Sequence, residues 1–434
     1  MKKYLVVLAL AVALSVSGAI GIAARTPAPA LQAAPTAVVG VNAHQDLAGV
    51  ITSLQATLRR VPKDDASWAT LGLAYVEQAR ITGNPTYYGK ADRAVATSFR
   101  LRPRGNVAAL AAGAAVEAAR HHFADALDLA DRALRIDPRS LGALSIRVDA
   151  LTELGRYGDQ LRALRTADSR QPGVPIAARY SYAYELRGNL RRASSILGQA
   201  VQAGSRSDRA YLLTLMADID RRQGRLGAAE RHLGLALRNL PGYLPAMVSS
   251  ARLDTARGRL RAAAREWQAV VARLALPEYL TELGELYAHL GRPGLARQQY
   301  AVVGSTTALL ASNGVNTDLE AALFAADHGD PRQALVAARA EWGRRKSINV
   351  ADVLGWALHR TGNDRQALVL ARQATRLGTL EARPWIHRGT IEAALGMHAR
   401  ARADLRRGLA IDPGLSPWQA DQARAVLAGL EGTR

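Results

Sequence analysis

Residues 280–300 read LTELGELYAHLGRPGLARQQY. Gly291 divides this stretch into two segments that we read as antiparallel helices joined by a tight turn. Glycine reaches a positive φ at no steric cost, so it ends the first helix and lets the chain reverse. Ala296, five residues later, stands where the second helix crosses the first, and a larger side chain there would push the two apart. Tyr300, four residues further on, supplies a bulky knob for the same interface.

The pattern recurs along the chain. Glycines fall at Gly155, Gly188, Gly224, Gly258, Gly291, Gly329, Gly362 and Gly396. An alanine follows five residues after each at Ala193, Ala229, Ala263, Ala296, Ala334, Ala367 and Ala401; after Gly155 the residue is Gln160. Larger knobs follow at Leu164, Leu197, Leu233, Trp267, Tyr300 and Leu405, and prolines close several units at Pro103, Pro138, Pro172, Pro241 and Pro413. A repeat of this length is the mark of an array of stacked supersecondary units. Alternating strand patterns bounded by turn dipeptides are almost absent, so the sequence predicts an all-α fold.

These residues resemble the tetratricopeptide-repeat (TPR) family, whose pattern is W-x-x-L-G-x-x-Y, then A-x-x-x-F, then P. Trp68, Leu71, Gly72 and Tyr75 match its first half. Leu280, Leu283, Gly284, Tyr287, Ala296 and Tyr300 match both halves, with Leu for the leading Trp. Asp352 to Leu358 with Gly362 and Ala367 forms another unit, and Trp385 opens the last, which closes at Ile411-Asp412-Pro413. The resemblance implies a right-handed superhelical solenoid of about ten helix-turn-helix repeats over residues 63–413. The layout is similar to that of bacterial exported members of the family.

Several segments depart from the pattern. About seven extra residues enter the first unit around Thr82–Tyr88, and Gly304–Thr317 reads as an extended connector. Residues 42–62, with Leu47, Ile51, Leu54 and Leu58 on one face, read as a capping helix. Residues 414–434, with a helix from Leu415 to Leu430, read as a second cap and tail, since the open ends of a solenoid must be covered.

Residues 1–24 read as an address. Met1-Lys2-Lys3 precedes 21 uncharged residues from Tyr4 to Ala24, and small residues near Ser17-Gly18-Ala19 and Ile22-Ala23-Ala24 offer cleavage sites. The segment fits a cleaved signal peptide or an uncleaved membrane anchor, and both place the body outside the cytoplasmic membrane. Residues 25–41, with Pro27, Pro29 and Pro35, form an Ala/Pro-rich linker.

The chain has 434 residues and a formal net charge of +20, and of its 57 basic residues only five are Lys. The arginines are spread evenly, without the dense block and interleaved aromatics that bind nucleic acid, which leaves that partner a remote alternative. Cysteine is absent, which excludes disulfides, thiolate metal sites and a lipidated cysteine anchor. The nine histidines show no metal-ligand spacing. His121-His122, with Asp125 and Asp128 nearby, reads as a solvated turn, Asp64-Asp65 as an N-cap, and Asp218/Asp220 as a polar helix face. No phosphate loop, nucleophile elbow or H-E-x-x-H motif occurs. The sequence therefore predicts no enzyme, no metal and no cofactor.

The resemblance implies a groove lined by the first helices of successive units. Carried over residue by residue, it selects Arg179, Tyr182, Asp218, Arg221, Arg252, Glu285, His289, Trp356, His359, Arg360 and His387. Planar cations, aromatics and a few acids in one stripe suit an extended acidic or C-terminal peptide. The expected function is a protein–protein interaction scaffold or adaptor, with a structural subunit of a membrane or envelope complex as the alternative.

Overall fold

The computed structural model describes residues 43–412 and 415–432; the stretches read above as an address and a linker, and Pro413, lie outside them. The described residues form twenty-two α-helices and no strand. Ten consecutive helix pairs, α2 (Asp65–Thr82) with α3 (Thr86–Leu101) through α20 (Ala382–Ala394) with α21 (His398–Ile411), are flanked by α1 (Ala43–Arg60) and α22 (Pro417–Gly432). None of these helices is long and apolar enough to cross a membrane.

Chain contacts divide the protein into two compact units. The first runs to Tyr180 and also takes in Ala203–Asp208 and Ala308–Asn316. The second holds Ser181–Gln202, Arg209–Thr307 and Thr317–Arg434.

The first unit contains α1 to α3, α4 (Val107–Ala119), α5 (Phe123–Ile136), α6 (Leu141–Glu153), α7 (Tyr157–Arg170) and the start of α8 (Val174–Glu185). Leu47, Ile51 and Leu58 of α1 are buried in one cluster with Leu71 and Tyr75 of α2, so the cap rests on the first pair. Asp64 caps α2 by accepting from Ser67 N at 3.1 Å. His121 occupies the place that glycine holds in the later turns, with φ +65°, and Ala126 five residues on is fully buried. It is no solvated residue. Its imidazole is buried, lies 2.7 Å from Asn316 O through Nδ1 and stacks on Phe123.

The second unit contains the end of α8 and α9 (Leu190–Ala203) through α22, except the stretches Ala203–Asp208 and Ala308–Asn316 that belong to the first. Its intervening helices are α10 (Arg206–Arg222), α11 (Leu226–Asn239), α12 (Leu244–Ala256), α13 (Leu260–Arg273), α14 (Pro277–His289), α15 (Pro293–Ala311), α16 (Asp318–His328), α17 (Pro331–Arg344), α18 (Ile348–Arg360) and α19 (Asp364–Ala374). At the α14–α15 turn Gly291 has φ +70°, and Arg292 N donates to Tyr287 O at 2.8 Å, the backward bond that closes a left-handed helix end. Gly329 differs. Its φ of −132° is extended, because α16 runs one residue further and Pro331 starts α17 at once after the Asp330 cap.

The alanines at the crossings are all buried, from Ala193 to Ala401. In the pairs α2–α3, α14–α15 and α20–α21 a glycine of the first helix stands opposite the knob of the second. A Cβ added at Gly284 would fall 2.3 Å from the Tyr300 ring, and one at Gly389 would fall 2.8 Å from Leu405. In the first pair the same partners are Gly72 and Val95, at 2.7 Å, seven residues further apart in sequence than Gly284 and Tyr300. The Thr82–Tyr88 insertion therefore leaves the helix crossing intact. The Gly304–Thr317 connector is not extended: α15 continues to Ala311, since Val303, Thr306 and Leu310 maintain a buried stripe and Gly304 faces open space.

Candidate functional site

The stripe of residues selected from the first helices is largely tied to neighbouring first helices. Arg179 of α8 is buried and clamps Asp149 of α6 through Nε at 2.8 Å and Nη2 at 2.6 Å. Asp218 of α10 accepts from Ser249 Oγ of α12 at 3.0 Å. Arg252 of α12 pairs with Glu282 of α14, with Nε 3.1 Å from Oε2. Tyr182 is half-buried on α8. Each link joins residues about one repeat apart, so the stripe works as a polar ladder between successive first helices.

The densest part lies on α16, α18 and α20. Trp356 stacks on His387 with centroids 4.1 Å apart and on His359 at 5.0 Å, and its Nε1 donates to Asp327 Oδ1 at 2.8 Å. His387 Nδ1 lies 3.0 Å from Asp352 Oδ1, and Arg383 Nε donates to Asp352 Oδ2 at 3.1 Å. Burial opposes the Asp352 charge, but His387 and Arg383 outweigh it and hold the carboxyl below its ordinary range. His359 pairs with Asp364 at 2.6 Å, while Arg360 is exposed and donates to Ala326 O at 2.9 Å.

A second group surrounds α14. Glu285 is buried, with Oε1 2.9 Å from His328 Nε2. The His328 ring packs against Tyr300 at 4.5 Å and Trp418 of α22 at 4.6 Å. His289 Nδ1 lies 2.7 Å from Asp421 of α22, and buried Arg221 is ion-paired with Asp412. Two stripe positions, Arg221 and His289, thus meet the chain's own C-terminal segment. Asp220 is not on a polar face: it is buried between Arg225 and His232, which pull its carboxyl down against the effect of burial.

Turn glycines and buried crossing alanines recur along the array, and a glycine packs against a knob in the first pair, in α14–α15 and in the last pair. The fold is of the tetratricopeptide type. No family model matches the sequence, and no curated protein matches it. Among solved structures the chain is similar to a human IFIT1 dimer with PPP-AAAA, at 14% identity and TM-score 0.47, over 85% of this chain and 86% of that one. It is similar to a tetratricopeptide repeat protein from Parabacteroides merdae at 18% identity and TM-score 0.35, over 59% and 98%. It is also similar to a thermophilic TPR protein of Thermus thermophilus at 21% identity and TM-score 0.38, over 44% and 98%.

Sequence reasoning selected the stripe residues but not the groups that they contact. Asp149, Glu282, Asp327, His328, Trp418 and Asp421 were not selected as site residues, and Asp412 was read only as the close of the last unit. The ladder left one signal in the sequence, complementary residues about 30 apart, as in Asp149 with Arg179 and Asp352 with Arg383. The contacts made by Asp412 and Asp421 left none, since they span 191 and 132 residues.

Proposed function

We propose that this protein is a non-catalytic scaffold that holds a peptide or protein partner on the first-helix stripe of its second unit, outside the cytoplasmic membrane. The observation that carries the reading is that the stripe already receives a peptide segment. Asp412 meets Arg221 and Asp421 meets His289, while Trp418 packs on His328 beside the stripe residue Glu285. A surface that takes two carboxylates and an indole from its own chain offers the same chemistry to an acidic, aromatic-bearing partner. Lys2, Lys3 and the uncharged run after them support the location.

The structural-subunit reading has its own observation. Val336 and Val369, at the same position of neighbouring second helices α17 and α19, are 71% and 64% exposed. Crosslinking and pull-down of the chain from its native envelope, followed by mass spectrometry, separates the two. Groove binding predicts that His289→Ala weakens capture and Val336→Asp does not. If Val336→Asp abolishes capture while His289→Ala is silent, the structural-subunit reading replaces it. Sequencing the mature N-terminus decides between signal peptide and anchor, and a cytosolic chain with an intact start overturns export.

A further inference from the structure

Buried carboxylates in the second unit are as a rule matched by arginine: Glu185 by Arg222, Glu341 by Arg345, Asp404 by Arg388. Glu285 is different. It is 2% exposed, its side-chain partners are His328 and the Ser416 hydroxyl, and the charged groups that act on it most are His328 and a second carboxylate, Asp327. Burial, with Asp327 adding to it, pushes the Glu285 carboxyl up. The Tyr300 hydroxyl oxygen beside them is buried without a hydrogen-bond partner. In a chain with a net charge of +20, two carboxylates packed together without a guanidinium leave a place for a cation.

The geometry suits a metal ion. One donor atom from each of Glu285, Asp327 and His328 lies within 4.8 Å of the others. We propose that these three side chains bind one divalent transition cation, represented by zinc. An imidazole nitrogen with carboxylate oxygens is a zinc-type donor set, whereas calcium and magnesium prefer oxygen alone. The cation would replace the hydrogen bond between His328 Nε2 and Glu285, so both must be deprotonated and affinity falls in acid. Asp327 is half-buried and gives access from solvent, and its bond from Trp356 Nε1 orients the carboxylate from outside the site.

The test is a calorimetric titration of zinc chloride into the full mature chain, made without a histidine tag and stripped with chelator, with metal content measured in parallel. We expect one zinc per chain and at least about a 10-fold loss of affinity in Glu285→Gln and in Asp327→Asn, both near-isosteric. Glu117→Gln, in the other carboxylate–histidine group of Glu117, His122 and Asp125, should leave binding unchanged. Circular dichroism monitors folding; if Glu285→Gln unfolds, the half-buried Asp327→Asn decides. Absence of saturable binding, binding that survives Asp327→Asn, or binding lost in Glu117→Gln overturns the proposal.

Discussion

The Trp356 indole lies flat on the His387 imidazole, with planes 4° apart and centroids separated by 4.1 Å. The two residues sit on successive first helices, and Trp356 also donates to Asp327 on the preceding one. The aromatic that the sequence offers as a groove anchor is therefore a joint between three repeats. Trp356→Ala should cost about 2–3 kcal/mol, below the range for a fully buried aromatic because Trp356 is only partly covered. Trp356→Phe keeps the stack and loses the hydrogen bond, at a cost of about 1 kcal/mol. Urea denaturation of both variants checks the order; equal losses would place the stability in the hydrogen bond alone.

Ala296→Leu tests the phase of the repeat. Ala296 is 3% exposed at the α14–α15 crossing, and three added carbons there should cost about 1–3 kcal/mol. Gly294, on the same helix, has open space where a Cβ would go, so Gly294→Ala should be neutral or stabilise by up to about 1 kcal/mol. Thermal melts of the pair should move in opposite directions or leave Gly294→Ala unmoved. A silent Ala296→Leu would falsify the crossing.

Acid should weaken the α18–α20 joint. The Asp352 carboxyl is depressed in the folded chain, so its contribution is present above its ordinary value of 3.8 and is lost as pH falls through the lower folded value. Asp352→Asn lacks that contribution throughout. The difference in urea midpoint between wild type and Asp352→Asn should shrink as pH falls from about 6 to about 2. A difference that stays constant means the carboxylate is not linked to folding.

The C-terminal helix should loosen when its side-chain contacts are cut. Trp418→Ala removes the ring packed on His328, and Asp421→Ala removes the partner of His289. Hydrogen exchange along α22 should accelerate in each variant and most in the double variant, with α14 following because the two helices pack together. Unchanged protection of α22 would assign its anchoring to backbone and apolar packing.

The sequence by itself determined the repeat. The Gly291-to-Ala296 spacing and the knob at Tyr300 act within one hairpin, where neighbours in space are neighbours in the chain. Helix class, hairpin phase and the seven-residue insertion could therefore be read from residue types alone. Tertiary structure decided which polar groups meet. Arg179 and Asp149 are one repeat apart, Glu285 and His328 are 43 residues apart, and Arg221 and Asp412 are 191 apart. An isolated Arg or His reads as a solvated face until the helix packed against it is known, because a carboxylate has no period that announces its partner. His121 shows the same limit. Its position in the turn and its positive φ are local, but its contact with Asn316 depends on a segment 195 residues away. Local sterics fix the hairpins, and long-range packing alone decides which side chains remain available to a partner.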